Sequence, residues 1–246
     1  MKKITPIAIF RSPFNSKFGI PRQSGLVEEL VGRIIFVPEY RREEALKGLE
    51  DFDYLWLIWG FHQNEERENE QKSETGNERN SKITVRPPRL GGNERIGVFA
   101  SRSPFRPNGL GLSSVRFSRI VNGEIEVLGA DLMDGTPIYD IKPYIAYADS
   151  HPNARGGFTD QHEWKKLQVD MDGRFRRMFS ADMLQALCKT LELDPRPHYH
   201  HDARRIYGMP FAHYDIRFRV DGDRLTVVDV NKGSITPNPS STGEGE

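Results

Sequence analysis

The sequence predicts a mainly β protein, a barrel or sandwich over residues 1–150, followed by a smaller α+β unit over residues 151–233. Three observations carry that expectation. Short strand-like runs recur between turn residues through the first part, Asn122-Gly123 sits between two such runs, and only one short helical pattern precedes residue 150.

Ile7-Ala8-Ile9-Phe10 reads as a short strand closed by Ser12-Pro13, and Arg33-Ile34-Ile35-Phe36-Val37 as a second that stops at Pro38. Glu43 to Leu49 has Ala45, Leu46 and Leu49 at helical spacing and predicts a short amphipathic helix. Tyr54 to Phe61 is aromatic and aliphatic throughout, the pattern of a strand buried on both faces. Residues 64–82 hold no Ile, Leu, Val or aromatic side chain, so burial cannot offset their ordering entropy and a mobile surface loop is expected. Strands return at Ile96 to Ala100 and at Val115 to Val121. Asn122-Gly123 then turns the chain into Glu124-Ile125-Glu126-Val127-Leu128, which alternates polar and apolar.

The run Asp149 to Gly157 is a linker by composition. Beyond it, a helix is expected from an N-cap at Ser180 to Leu191, and then a second hairpin. In that hairpin Tyr214, Ile216, Phe218 and Val220 alternate with charged residues, and Asp221-Gly222 turns the chain toward Leu225, Val227 and Val230. Residues 234–246 are rich in Pro, Ser, Gly and Glu, the composition of a disordered tail.

Composition excludes several classes. No apolar run approaches the roughly 18 residues of a membrane span, and no apolar stretch follows the lysines at the N-terminus as in a signal peptide. A cytoplasmic location is expected. Cys188 is the only cysteine, which excludes an intrachain disulfide and a multi-thiolate zinc site, and its helical surroundings make it a small core residue. Net charge is zero, but it is unevenly placed: from Arg86 to Arg106 five arginines face one glutamate, while residues 65–82 hold six glutamates against two arginines and two lysines.

There is no G-x-G-x-x-G, Walker A, G-x-S-x-G or H-E-x-x-H pattern, so a Rossmann dinucleotide fold and the common hydrolase designs are not expected. What remains are dense segments of Gly, Pro, Arg and Asn. The longest runs Val85-Arg86-Pro87-Pro88-Arg89-Leu90-Gly91-Gly92-Asn93-Glu94-Arg95-Ile96-Gly97-Val98-Phe99-Ala100-Ser101-Arg102-Ser103-Pro104-Phe105-Arg106-Pro107-Asn108. Prolines fix its backbone, glycines permit close approach of a ligand, and arginines offer forked donors to carboxylate or phosphate. On composition alone, rigid turns with solvated arginines are the lesser alternative to a loop that holds a ligand.

This segment resembles the hallmark of the TrmO (YaeB/TsaA) family. It is joined in family order by Phe14 to Gly25, Phe61-His62-Gln63, Asp131-Leu132-Met133-Asp134-Gly135-Thr136-Pro137, Asp140-Ile141-Lys142-Pro143-Tyr144 and Asp194-Pro195-Arg196-Pro197. The resemblance spans the chain apart from residues 64–82 and the tail. It implies a single-sheeted antiparallel β-barrel with a small C-terminal domain, a homodimer, and S-adenosylmethionine-dependent methylation of N6 of threonylcarbamoyladenosine, position 37, beside the anticodon of tRNA. Carried over by motif, the cofactor contacts are Gln23, Ser24, Gly25, His62, Gln63, Arg102, Leu112, Asp131, Leu132, Met133 and Asp134. Family members often carry Pro where Ser24 stands and Thr where Ser103 or Pro104 stands, so side-chain roles there do not transfer.

The chemistry of the residues fits in outline. Asp131 and Asp134 can accept from ribose hydroxyls or an ammonium, Arg102 can clasp a carboxylate, and Gly25 exposes backbone. Arg102, His62 and Asp134 are the candidates at the reacting centre, with a proton acceptor left open between His62 and Asp134. Arg86, Arg89, Arg106, Arg196 and Tyr199 are candidates for the RNA, through phosphate, the threonyl carboxylate and base stacking. No metal is expected, because His198, His200 and His201 have poor spacing for one ion and no completing ligand. A non-catalytic RNA-binding or dimerisation module would use the same arginines without binding S-adenosylmethionine, and a metal-dependent hydrolase would need the histidines. Since residues 64–82 have almost nothing to bury, replacing them with a short Gly-Ser linker should leave thermal stability within about 1 kcal/mol, loop closure depending only weakly on length. Loss of folded protein on that replacement would show that the segment packs.

Overall fold

The computed structural model describes residues 3–62, 83–87, 94–161, 165–196 and 202–233. Gln63, Arg89, Pro197 to His201 and residues 64–82 and 234–246 lie outside the described residues, so the expectations placed on them stay expectations.

The first part is built from β1 (Ala8–Arg11), β2 (Val31–Phe36), β3 (Tyr54–Gly60), β4 (Thr84–Val85), β5 (Ile96–Gly97), β6 (Leu110–Val121), β7 (Glu124–Leu128) and β8 (Pro137–Pro143). Six of these follow one another in the order β1-β2-β7-β6-β3-β8, and β8 pairs back onto β1, so the antiparallel sheet closes into a barrel. Closure satisfies both edges of every one of the six strands and leaves no free ladder among them. β4 and β5 form a separate two-stranded ribbon. Inward residues of all six strands, among them Phe10, Ile34, Leu55, Leu57, Val115, Ile125, Val127 and Ile138, make the barrel core.

Local chemistry explains these elements. Asn122 and Gly123 both take positive φ, 53° and 74°, which is what a tight hairpin between β6 and β7 demands. β3 differs from the sequence expectation, because only one of its faces is buried. Leu55, Leu57 and Trp59 point inward, whereas Tyr54 is 41% exposed on the outside, since a sheet closed on itself has its core on one side. The strand expected over 96–100 is also shorter. After Ile96–Gly97 the chain coils into a 3-10 turn, Val98–Ala100, in which Val98 is buried and Phe99 is 78% exposed, a pattern with no period of two. β8 was not evident in the sequence because prolines open and close it, positions where a strand tolerates them. Asp149, the first residue of the run read as a linker, is a fixed point: its carboxylate accepts from Trp56 Nε1 at 3.0 Å and from the Ile145 N–H at 2.8 Å, and these bonds hold it below the usual carboxylate range.

The second part contains β9 (Gln168–Met171), a helix (Ala181–Glu192), β10 (Tyr207–Phe211), β11 (Tyr214–Asp221) and β12 (Arg224–Lys232). Its sheet runs β10-β11-β12-β9, with β9 parallel to β12. Ser180 caps the helix by accepting from the Met183 N–H, and the helix buries Ala186, Leu187, Thr190 and Leu191 against the sheet. Cys188, half-buried on this helix, has its thiol pushed up by burial, in keeping with an inert residue.

The second core also takes in residues from far upstream. Phe14, Val27 and Leu30 are buried among the helix and sheet residues, with the Phe14 ring edge-on to Phe211 at 5.5 Å and Phe18 stacked on Phe218 at 6.5 Å. The Ala212 N–H donates to the Pro13 carbonyl at 2.7 Å, and Gln185 Nε2 donates to Glu29 Oε1 at 2.8 Å. Residues 12–30, which leave the barrel after β1 and re-enter it at β2, are therefore clamped onto the second sheet. Phe14→Ala should cost roughly 3–5 kcal/mol in denaturant unfolding, as expected for a buried aromatic truncated in a core. A loss below about 1 kcal/mol would show that the segment does not depend on that anchor.

Candidate functional site

Four loops meet at one end of the barrel. They are residues 12–30 after β1, Phe61 and His62 after β3, residues 101–109 before β6, and residues 129–136 between β7 and β8. Backbone hydrogen bonds fasten them together: Gly25 N–H to Gly129 O at 2.8 Å, Gly129 N–H to Leu30 O at 2.9 Å, Phe61 N–H to Gly109 O at 2.8 Å, and Asp134 N–H to Phe14 O at 2.8 Å. Gly25 has φ 79°, and a Cβ placed there would meet nothing within 4 Å, so it supplies a left-handed bend whose outer side is open.

Asp131 is the part-buried carboxylate of this cluster. Its Oδ1 accepts from Ser113 Oγ at 2.6 Å, and Ser113 Oγ in turn accepts from Trp59 Nε1 at 3.0 Å. Burial pushes the Asp131 carboxyl up, while the Ser113 hydroxyl, the Arg102 guanidinium and the Ser24 N–H hold it down. Arg102 Nη1 also donates to Gln23 Oε1. Gln23, Ser24, Gly25, Arg102 and Asp131, named from three separate motifs, are thus brought together.

The other predicted positions divide. Asp134 accepts from the Ser12 N–H at 3.0 Å and from Arg11 Nη1 at 3.1 Å, so both of its oxygens hold the turn that leads into residues 12–30. His62 lies over Gly135, whose Cβ would stand 3.9 Å from His62 Nε2. Leu132 and Met133 are buried, Leu132 inside the barrel core, so any ligand contact from them comes through backbone. Leu112 is 57% exposed on the outer face of β6, opposite Ser113, and its side chain is set apart from Asp131.

Among the RNA candidates, Arg86 is exposed, and Arg106 Nη1 braces its own loop by donating to the Ser101 carbonyl at 2.7 Å. The Arg196 guanidinium forks onto both oxygens of Asp194, 2.8 Å each, which raises its already high pKa and fixes the loop. Arg89, Tyr199 and Gln63 fall outside the described residues. Among the described residues no group of His, Cys, Asp and Glu could hold a metal ion, and no helix is long and apolar enough to cross a membrane. Ser113, Trp59 and Arg11 were missed by sequence reasoning. The signal for Ser113 was present, a polar side chain at an inward position of a strand. A separate concavity of about 430 Å³ lies on the outer barrel face, lined by Tyr54, Trp56, Tyr144 and Asp149 among others, and shares no residue with the polar cluster.

The residues suit a small zwitterionic nucleoside ligand, with a part-buried acceptor at Asp131, a cation at Arg102 and an open glycine bend beside them. Because the folded pKa of Asp131 lies above its unfolded value, its ionised form costs stability above both values, and that cost fades as pH falls through the folded value. Asp131→Asn should therefore raise the unfolding temperature of the ligand-free protein at pH 7, with the gap closing below about pH 4. An unfolding temperature lowered at pH 7 would show that the carboxylate stabilises the fold.

The match with known proteins extends over both parts. The model described as the tRNA-methyltransferase O N-terminal domain matches residues 9–150, and that of the TrmO C-terminal domain matches residues 165–233. The Escherichia coli tRNA (adenine(37)-N6)-methyltransferase is 36% identical over 226 residues, covering 87% of this chain and 91% of its own. A Pseudomonas aeruginosa relative, RcsF, whose name places it among S-adenosylmethionine-dependent methyltransferases, is 37% identical over 241 residues, 94% of this chain and 98% of its own. The crystal structure of TrmO from Pseudomonas aeruginosa superposes with a TM-score of 0.74 at 30% identity, covering 95% of this chain and 98% of that one. With both domain models matched in order and relatives aligned over nearly their full length, the chain belongs to the TrmO family.

Proposed function

We propose that this chain transfers the methyl group of S-adenosylmethionine to N6 of threonylcarbamoyladenosine at position 37 of tRNA, beside the anticodon. The observation that carries the reading is the meeting of Gln23, Ser24, Arg102 and Asp131 at one barrel end, in a chain whose Escherichia coli relative is named for methylation of adenine 37. On this reading residues 1–150 hold the cofactor, residues 151–233 contact RNA and a second copy of the chain in a homodimer, and the enzyme works on tRNA in the cytoplasm.

The sulfonium supplies an already activated methyl group, so the protein's task is chiefly placement. Asp131 would accept from a hydroxyl or ammonium of the cofactor, Arg102 would clasp its carboxylate, and Gly25 would let the backbone come close. Gln23, through its bond with Arg102, sets the direction of the guanidinium. The bonds that Asp134 makes to Ser12 and Arg11 favour a holding role for it, which leaves His62 as the candidate to take the N6 proton. That proton is more acidic than in adenosine, because the carbamoyl carbonyl withdraws electrons from N6. The threonyl carboxylate gives Arg86, Arg89 or Arg106 a charged handle that plain adenosine lacks.

Methyl incorporation into tRNA with and without the threonylcarbamoyl group, at fixed salt, tests the substrate. Losing one charge-assisted contact of about 1.5–3 kcal/mol should slow the unmodified tRNA by roughly one to two orders of magnitude. Equal rates would refute the handle. Arg102→Ala should weaken S-adenosylmethionine binding by about ten- to a hundred-fold in calorimetry, and unchanged affinity would remove it from the cofactor site.

A further inference from the structure

We propose that Ser113, held by Trp59, is a positioning residue that presents Asp131 to the cofactor as a charged acceptor, an inference that rests on the methyltransferase reading above. An indole N–H can only donate. Since Trp59 Nε1 donates to Ser113 Oγ at 3.0 Å, the single hydroxyl proton of Ser113 is directed elsewhere, and Asp131 Oδ1 stands 2.6 Å away to receive it. With Trp59 donating to its oxygen, the Ser113 hydroxyl keeps its own proton for the ionised Asp131 carboxylate.

Packing locks the relay in place. Trp59 and Gly111 are opposite each other in the β3–β6 ladder, and a Cβ on Gly111 would lie 2.3 Å from Trp59 Cε2, so the indole lies across the space that the glycine leaves. The Phe61 ring closes on Trp59 with centroids 4.4 Å apart. Ser113 is 2% exposed and Trp59 8%, so water cannot easily replace either partner.

The groups acting on Asp131 are few. From β6 comes the Ser113 hydroxyl, the strongest of the influences opposing burial, then Asp131's own backbone N–H, the charge of Arg102 from the loop before β6, and the neutral Ser24 N–H from residues 12–30. Removing the hydroxyl leaves burial less opposed, so Asp131 takes up its proton at a higher pH. A protonated Asp131 no longer attracts a cationic or hydroxyl donor as an anion does.

The test is calorimetric titration of the full chain with S-adenosylmethionine from about pH 5.5 to 8.5, comparing wild type, Ser113→Ala, Ser113→Thr and Trp59→Phe. Ser113→Ala should bind about ten-fold more weakly near pH 6, with the deficit narrowing as pH rises. Ser113→Thr, which keeps the hydroxyl, should restore the wild-type profile. Trp59→Phe, which keeps the hydroxyl but frees its direction, should shift the profile in the same sense by less, and it decides the matter if Ser113→Ala does not fold. A deficit constant across pH, or profiles that superpose on wild type, would overturn the relay while leaving the methyltransferase reading intact. Absence of binding by the wild-type protein would overturn that reading, and the relay with it.

Discussion

Residues 12–30 form neither helix nor strand, and their order depends on burying Phe14, Val27 and Leu30 in a core built by residues far downstream. Each such side chain contributes about 1.5–3 kcal/mol when taken out of water. The ends of the segment belong to the barrel, through β1 and β2, while its middle belongs to the second sheet. The loop carrying Gln23, Ser24 and Gly25 is therefore shaped by both parts of the molecule. Without the second core the barrel would still close, because its six pairings do not involve that core, but the polar end would lose one of its four walls.

The barrel grips this segment at defined points. Gly129 bonds both Gly25 and Leu30 through backbone, and Asp134 bonds Ser12 and Arg11 through its carboxylate. The loop between β7 and β8 consequently does for residues 12–30 what a partner strand does for a strand: it satisfies polar groups that would otherwise need water. A ligand bridging Ser24 and Asp131 would join the two bodies once more. Such binding stabilises the whole assembly by mass action, because it favours only the state in which both walls are in place.

How much of this was legible in the sequence depended on whether the signal was local. Asn122-Gly123 and the Ser180 cap act within a few residues, and both elements formed as expected. The hairpin around Asp221-Gly222 formed for the same reason. Which face of β3 is covered is not local: Tyr54 to Gly60 is apolar on both sides, and only closure of the sheet decides that Leu55, Leu57 and Trp59 go inward. Likewise Ile96 to Ala100 has strand composition, but the Val98 N–H is taken by the Ile83 carbonyl at 2.9 Å and the chain coils there. At the site, the motifs named most of the polar residues that meet. They could not name Trp59 and Ser113, whose bond joins neighbouring strands across the barrel interior, or Arg11, whose partner lies 123 positions away.

The run Asp131-Leu132-Met133-Asp134 shows what the third dimension adds. Its two carboxylates are three positions apart in one loop, and the motif assigns both to the cofactor, with Asp134 also a candidate at the reacting centre. Leu132 is drawn into the barrel core and Met133 is buried beside it, which fixes the loop like a pin and turns the two acids to different partners. Asp134 is half-exposed, meets a backbone N–H and an arginine, and spends its charge on holding the chain. Asp131 meets a hydroxyl that also accepts from an indole, and desolvation raises its pKa. A carboxylate whose ionised form costs desolvation gains most from a ligand that brings a donor to it. The acid that does least for the fold is therefore the one placed to do most for the cofactor.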